Sequence, residues 1–436
     1  MLVFTGCFGG TTNNIDDANT IVIWHWLSDR VNVFDQLAEE YQELTGIKIK
    51  FELYAPTAAY TSKVRSAAQA NKLPDIYGGG LFEMRDFAAF IKAGHVYNLT
   101  PFMDQDHNKW KNIFFDSGLA LNSLPEGNEY NVTPGIYGAP IDINDIQMVY
   151  NLDLLAQAGW TKANPPSKWE EFIQLGKMLK EKNIPGLVSG WGETWMLQCL
   201  ADNFAWNIMG KDKIIATLKG QVPYTDPDWV KVFQIFKDMV DLDMFFPGSV
   251  TMVNKEAEQI FSNNKAAIAF NGSWCVNVYD GMNPDLNYVA ALPPKVNLEN
   301  KMYIWGGCTS FVVNDASPNK DKAVEFLKWL TEDKQQEVMV LATNNIPASK
   351  ASTGALKGNI KGFADDIENI VHPKLLPLEE YPLVTEAFNK GIQSIMIGEM
   401  TPVQVAENVQ HTKEKEAKKA ERFRKIREKR LKELNK

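Results

Sequence analysis

Cysteine is scarce in this chain of 436 residues: Cys7, Cys199, Cys275 and Cys308 form no CxxC pair and match no zinc spacing. A disulfide scaffold and a cysteine metal site are both left without support. Cys199, Cys275 and Cys308 sit in or beside apolar runs and are expected to be buried free thiols. Histidine is equally sparse, at His25, His95, His107, His372 and His411, with no ligand spacing, so no metal is expected. No GxGxxG follows a strand, and GxxxxGKS/T, HExxH and GxSxG do not occur, so no nucleotide or other cofactor is expected. No run of 18 apolar residues exists, so nothing after the first few residues spans a membrane.

Acid exceeds base, giving a formal net charge of −9, and the imbalance is uneven. Residues 411–436 hold eight Lys, four Arg and five Glu, a net of +7 that leaves −16 on the remainder. An acidic body speaks against bulk nucleic-acid binding. The tail is a helix former, expected to be solvated, with contact to a partner or to anionic lipid headgroups as the sharper reading. The length exceeds one ordinary domain and points to two. Twelve Trp is rich for this length.

Residues 20–26, TIVIWHW, are β-branched and aromatic and predict a buried strand. Apolar residues from Val33 to Leu44 recur at helical spacing, and Gly46 follows as a C-cap. IKIKFELY predicts the next strand, AYTSKVRSAAQANKL a helix, and PDIYGGG a short strand. Strand and helix alternating in this way imply a parallel α/β sheet. IYGAPIDINDIQMVYN reads as two strands. NPPSKWEEFIQLGKMLKEK reads as a helix with Ser167 as N-cap and Glu170 in a capping box. YIWGGCTSFVVN gives two strands, and NKDKAVEFLKWLTEDKQQEVMVLA one long amphipathic helix. Two more helices are expected within 377–409.

Asp142 and Asp145 in IDIND are near enough to suggest a general acid and base, as in glycoside hydrolysis. Two carboxylates in one segment are a weak signal. FSNNKAAIAFNGSW sets a large apolar side chain, Trp274, directly after a turn, which suits either core packing or a floor for a flat, partly apolar ligand.

The opening MLVFTGC followed by FGGTTNNIDDANT resembles the lipobox of a bacterial lipoprotein. Phe stands where Leu is usual, and the basic start and longer apolar region of a signal peptide are missing. Cys7 is accordingly expected to be a lipidation site after a clipped signal; the alternative is a true start at Met1 and an incidental Cys7.

The segment TIVIWHWLSDRVNVFDQLAEEYQELTGIKIKFEL with KLPDIYGGG resembles the start of the solute-binding proteins of ABC importers, in their maltose-binding-like, carbohydrate-binding group. IYGAPIDINDIQMVYNLDLLAQAGWTKANPPSKWEEF, FSNNKAAIAFNGSW, WGGCTSFVVNDASPNKDKAVEFLKWLTEDKQQ and NNIPASKAS are similar to later segments of that family, in the same order. The match covers about 20–410. It implies an α/β, two-lobe periplasmic-binding-protein-like fold, hinged, with a basic C-terminal helical tail outside the family pattern. Residues 20–139 and 303–345 would form lobe 1, 140–302 and 346–410 lobe 2, with 1–19 a signal remnant and linker and 411–436 the tail.

The resemblance further implies a sugar held in an interlobe cleft and delivered to ABC permease subunits by a monomer in the cell envelope, lipid-anchored through Cys7, without catalysis. A sugar needs aromatic platforms for its C–H face and polar groups for its hydroxyls. Where the family places its ligand contacts stand Trp26, Ser28, Asp29, Gly79, Gly80, Asp142, Asn144, Trp191, Trp274, Trp305, Gly306 and Tyr381, with Trp195 close to Trp191. Trp24, Trp160, Trp169 and Trp329 are expected in the core. A glycan hydrolase and a sensory or scaffold protein are the competing readings.

Overall fold

The computed structural model describes residues 19–79 and 84–434, so the expectations for Cys7 and Gly80 lie outside the described residues. The described residues begin with β1 (Thr20–His25), whose residues alternate between buried and half-buried. Its inward Ile21 and Ile23 are fully enclosed, whereas Trp24 faces the other way, half-buried under the Lys63 ammonium 4.2 Å from its ring, rather than in the core. Next come α1 (Val31–Thr45), β2 (Lys48–Leu53), α2 (Thr57–Gln69) and β3 (Ile76–Gly78). Gly46 ends α1 at φ 74°, a left-handed conformation that costs glycine little.

A second stretch supplies β4 (Ala139–Pro140), β5 (Asp142–Asn151), α3 (Trp169–Glu181), β6 (Leu187–Val188), α4 (Trp195–Leu218) and α5 (Pro227–Asp241). Then follow β7 (Ile268–Gly272), α6 (Cys275–Met282), β8 (Tyr288–Ala291), β9 (Ile304–Gly307) and β10 (Ser310–Val313). The last part holds α7 (Lys320–Leu330), α8 (Asp333–Thr343), β11 (Ile346–Pro347), β12 (Ile370–Val371), α9 (Pro382–Met396) and α10 (Pro402–Leu434).

Two sheets organise these elements. The first runs β2-β1-β3-β10-β4, with β1 parallel to β2 and β3 and with β10 antiparallel to β3 and β4. The second runs β12-β9-β5-β7-β6, with β8 and β11 also paired to β5. The ten-residue β5 is the spine of that sheet. Its first half meets β11 and β9, and its second half meets β7 and β8. Buried on nearly every residue, it reads as an apolar run with polar interruptions, as a central strand should.

The chain passes from the first sheet to the second at Ile141, returns between β9 and β10, and reaches the second again at β11. A return at residue 303 would put β9 in the first sheet. Instead Gly306 and Gly307 pair with Asp145 and Asn144, so the switch falls at Cys308–Thr309. The long helix expected after 319 is two, α7 and α8, broken at Thr331–Glu332. The capping box expected at α3 does not form: the N-cap is Lys168 with no side-chain cap bond, and Glu171, not Glu170, accepts from the Ser167 backbone N–H at 3.0 Å.

Candidate functional site

A cavity of about 1570 Å³ is walled by residues from both sheets. That exceeds the roughly 300–1,000 Å³ of pockets that enclose drug-sized ligands. The first side contributes Trp26, Ser28, Asp29, Arg30 and Gly79 after the C-terminal ends of β1 and β3, where a parallel sheet leaves its loops free to bind. The second contributes Asp142, Asn144, Glu193, Trp195, Gln198, Asp202, Trp274, Trp305 and His372.

Two of the tryptophans are seated in the same way. A Cβ built on Gly78 would fall 2.2 Å from Cζ3 of Trp26, and one on Gly272 would fall 2.0 Å from Cζ3 of Trp274. Each indole therefore rests against a glycine near the C-terminal end of a strand, at a spacing no side chain would permit. Trp26 is further backed by Tyr60, ring centroids 5.0 Å apart, and Trp274 by Trp195 at 6.2 Å. Both indoles stay partly exposed and line the cavity, one from each side. Trp305 packs at 4.3 Å against His372.

The floor is polar and internally tied. Arg30, only 5% exposed, sits with Nη2 2.5 Å from Asp142 Oδ2 and Nε 3.5 Å from Asp29 Oδ2. The Thr309 backbone N–H donates to Asp142 Oδ1 at 2.6 Å, and the Asn345 amide donates to Asp29 Oδ2 at 3.3 Å. One guanidinium thus gathers residues from all three crossings. The pair is buried and hydrogen-bonded on both sides, the condition under which a desolvated ion pair holds a geometry.

Two ionisable groups have shifted equilibria. Asp202 on α4 accepts from Gln198 Nε2 at 2.8 Å, and burial pushes its carboxyl up to about 7. His372 is held neutral by burial, with its Nδ1 accepting from the Lys374 N–H at 3.0 Å, so Nε2 carries the hydrogen. Burial also raises the Cys308 thiol to about 12; this residue, at a crossing, lines the cavity, whereas Cys199 and Cys275 are enclosed.

The structure therefore brings Trp26, Ser28, Asp29, Gly79, Asp142, Asn144, Trp274 and Trp305 to one cavity. Three expected contacts are elsewhere. Trp191 is fully buried, 6.0 Å from Phe270 in a stacked arrangement, and belongs to the core of the second side. Gly306 is a ladder residue opposite Asp145, and its neighbour Gly307 lines the cavity instead. Tyr381 packs onto the core beside α9, leaving Glu380 and Pro382 at the wall. Asp142 has both oxygens bonded within the protein, so it positions Arg30 and Thr309.

Asp145 is fully buried, and desolvation holds its carboxyl well above the usual range. Three residues from Asp142 along one strand, it points to the opposite face and does not reach the cavity. Among the described residues no group of three or more His, Cys, Asp or Glu could hold a metal ion. Nor is any described helix long and apolar enough to cross a membrane.

Trp195, expected beside Trp191, is 41% exposed at the cavity, and Glu193, Gln198, Asp202 and His372 line it without having been expected there. SGWGETW reads as a glycine-rich loop that does not separate its two tryptophans, whereas the first turn of α4 aims Trp195 outward and leaves Trp191 enclosed. The acids and His372 lie on helix and loop segments whose sequence carries no ligand signal.

A family model for bacterial extracellular solute-binding proteins matches residues 36–361. The sn-glycerol-3-phosphate-binding periplasmic protein UgpB of Agrobacterium fabrum is 24% identical over 365 residues, 81% of this chain and 79% of that one. The multiple sugar-binding protein of Streptococcus mutans is 22% identical over 254 residues, 56% of each. A solved chitin oligosaccharide binding protein matches at a TM-score of 0.76 and 22% identity, over 91% of this chain and 98% of that one. The GacH receptor of Streptomyces glaucescens, solved unliganded and with acarbose, matches at 0.72 and 20% identity, over 90% and 96%. With a match over some three quarters of its length and a two-sheet fold shared with such structures, the chain belongs to the bacterial extracellular solute-binding proteins.

Proposed function

We propose that this protein captures a neutral carbohydrate, an oligosaccharide in extent, between two lobes and delivers it to the permease of an ABC importer. The observation that carries this is the pair of glycine-seated indoles, Trp26 and Trp274, contributed to one cavity from opposite sides. A pyranose ring presents a C–H face, and an aromatic ring on each side removes apolar area from water on both partners. Ser28, Asn144, Gln198 and Asp202 supply donors and acceptors for hydroxyls around those platforms. The volume favours more than one sugar ring.

The charge around the cavity argues against a phosphate ester, although one relative is named for glycerol 3-phosphate. Eight acidic residues line it against four basic ones, and Arg30 is engaged by Asp29 and Asp142. Arg85 and Lys255 are likewise already paired, with Glu379 and Glu258, so an entering anion would have to displace a carboxylate to gain a cation there. The same carboxylates do not form a hydrolytic pair from IDIND, so we read the chain as non-enzymatic. The lobes of this reading are the two sheets with their helices, and closure is a hinge motion at the three crossings. Cys7 serves in this reading as the lipid attachment that keeps the protein at the outer face of the cytoplasmic membrane.

Titration calorimetry of the purified protein against neutral oligosaccharides and glycerol 3-phosphate tests the reading. Binding of at least one neutral sugar, weakened by about 30- to 70-fold in Trp274→Ala, is expected. The estimate takes roughly 80–100 Å² of stacked apolar area at ~25 cal/mol per Å². Tight binding of the phosphate ester alone would overturn it.

A further inference from the structure

Helix α10 continues from the folded body into a free basic arm. Its start is fixed: Val405, Ala406 and Val409 are enclosed, and Lys413 is 5% exposed. Lys413 donates from Nζ to the Thr217 carbonyl at 2.7 Å and pairs with Glu380 at 2.5 Å, while the Tyr224 hydroxyl donates to the same Glu380 oxygen at 3.0 Å. Beyond that root every residue from 421 to 430 is exposed. The helix does not turn back onto its own body, although the chain outside 411–436 carries −16 against the +7 of that segment.

Lys419, Arg424, Lys425 and Lys429 pair along the helix with Glu416, Glu428, Glu421 and Glu433. Lys415, Lys418, Arg422, Arg427 and Arg430 form no ion pair among the described residues. At about 100° per residue these five fall within roughly half of the helix circumference, a half that also holds Glu416 and Glu433, each paired with a lysine. Phe423 and Ile426 lie in that same half, 61% and 40% exposed, where water gains nothing from them.

We propose that this face of α10 docks on an anionic lipid bilayer, lying along the headgroups with Phe423 and Ile426 inserted between them. Free cations interleaved with exposed apolar side chains are what an interfacial helix requires, and an acidic protein surface offers the apolar pair nothing. The inference concerns a surface away from the sugar cavity and stands whether or not the ligand is a sugar. The buried Lys413–Glu380 pair ties the arm rigidly to α9 and to Glu380 at the cavity wall, so docking would set how the cleft faces the membrane.

The test uses residues 1–436 with Cys7→Ser, so that no lipid anchor contributes, and vesicles of either pure phosphatidylcholine or phosphatidylcholine with 30% phosphatidylglycerol. Co-sedimentation with the anionic vesicles only, abolished in high salt, is expected. Each Lys or Arg near such a surface is worth roughly a fivefold change in partitioning. Replacing Lys415, Lys418, Arg422, Arg427 and Arg430 by Gln should therefore lower binding by more than about 100-fold. Phe423→Ala with Ile426→Ala should weaken binding with the charge unchanged. Unchanged melting temperature and sugar affinity in both variants would keep the result separate from the cavity. Equal binding to both vesicle types, or binding that survives loss of the five cations, overturns the proposal. So does tail-dependent self-association in sedimentation velocity without vesicle binding, which would assign the arm to the acidic body of a second copy.

Discussion

The Arg30 guanidinium lies 2.5 Å from the Asp142 carboxylate, a buried pair joining the loop after β1 to the first residue of β5. It spans the two sheets, and through Thr309 and Asp29–Asn345 it touches every point at which the chain crosses between them. A hinge built of three short segments needs such a tie, because each segment alone is only a loop.

Arg30→Met should therefore destabilise the protein by about 3–5 kcal/mol, since Asp142 is left buried without its partner. Arg30→Met combined with Asp142→Leu should recover part of that loss. Urea denaturation of the single and double variants measures both, and additive losses would show that the two side chains do not act as a pair.

Gly272→Ala should weaken sugar binding by about tenfold or more while every indole is retained. A methyl cannot share the space 2.0 Å from the Trp274 ring, so the ring must leave its seat. Gly78→Ala should act likewise through Trp26, with 2.2 Å available. Calorimetric titration, with Trp274 fluorescence as a second readout, checks these effects.

Trp191→Ala and Trp274→Ala separate core from cavity. Trp191 is fully enclosed, so its removal should cost about 3–5 kcal/mol of stability, with little change in the affinity of the folded fraction. Trp274→Ala should chiefly reduce affinity. Thermal melts and titrations of both variants decide the assignment.

Asp202 carries a pH signature. Its carboxyl is raised from 3.8 in the unfolded chain to about 7 in the folded one, so the folded state holds the proton more tightly. The resulting stability is complete below pH 3.8 and is lost as pH rises towards 7, by at most about 1.4 kcal/mol per pH unit. Asp202→Asn should flatten that decline between pH 5 and pH 7 and raise the melting temperature at neutral pH. Melting temperatures across that range in both proteins provide the check.

The tail divides at its root. A chain ending after Gln410 loses Lys413 and leaves the Glu380 carboxylate, 12% exposed, without its ion pair. It should be less stable by about 3–5 kcal/mol. A chain ending after Ala417 keeps the pair and should match the full chain in denaturation midpoint. Equal losses in both truncations would place stabilising contacts further along the helix.

Local chemistry made the elements legible. β-Branched runs around Ile21 and Ile49, helical spacing from Val33 to Leu44 and the left-handed Gly46 each act within a few residues, and each forms as its spacing requires. Trp26 and Trp274 were readable because a large aromatic beside a strand end has few places to go other than the cavity. The break at Thr331–Glu332 was not readable, because the apolar spacing runs through it without interruption.

The sequence by itself determined that strands and helices alternate, that tryptophans stand at strand ends, and that a basic helix closes an acidic chain. Tertiary structure decided which tryptophans reach the cavity. Trp191 and Trp195 are four residues apart in one loop-like segment, yet the start of α4 sends one into the core and the other to the wall. It also decided that Arg30 binds Asp142, 112 positions away in the sequence. Lys413, one of eight lysines in the basic tail, became a buried anchor in the same way. Burial and charge pairing depend on what arrives from distant parts of the chain, and local spacing carries no record of it.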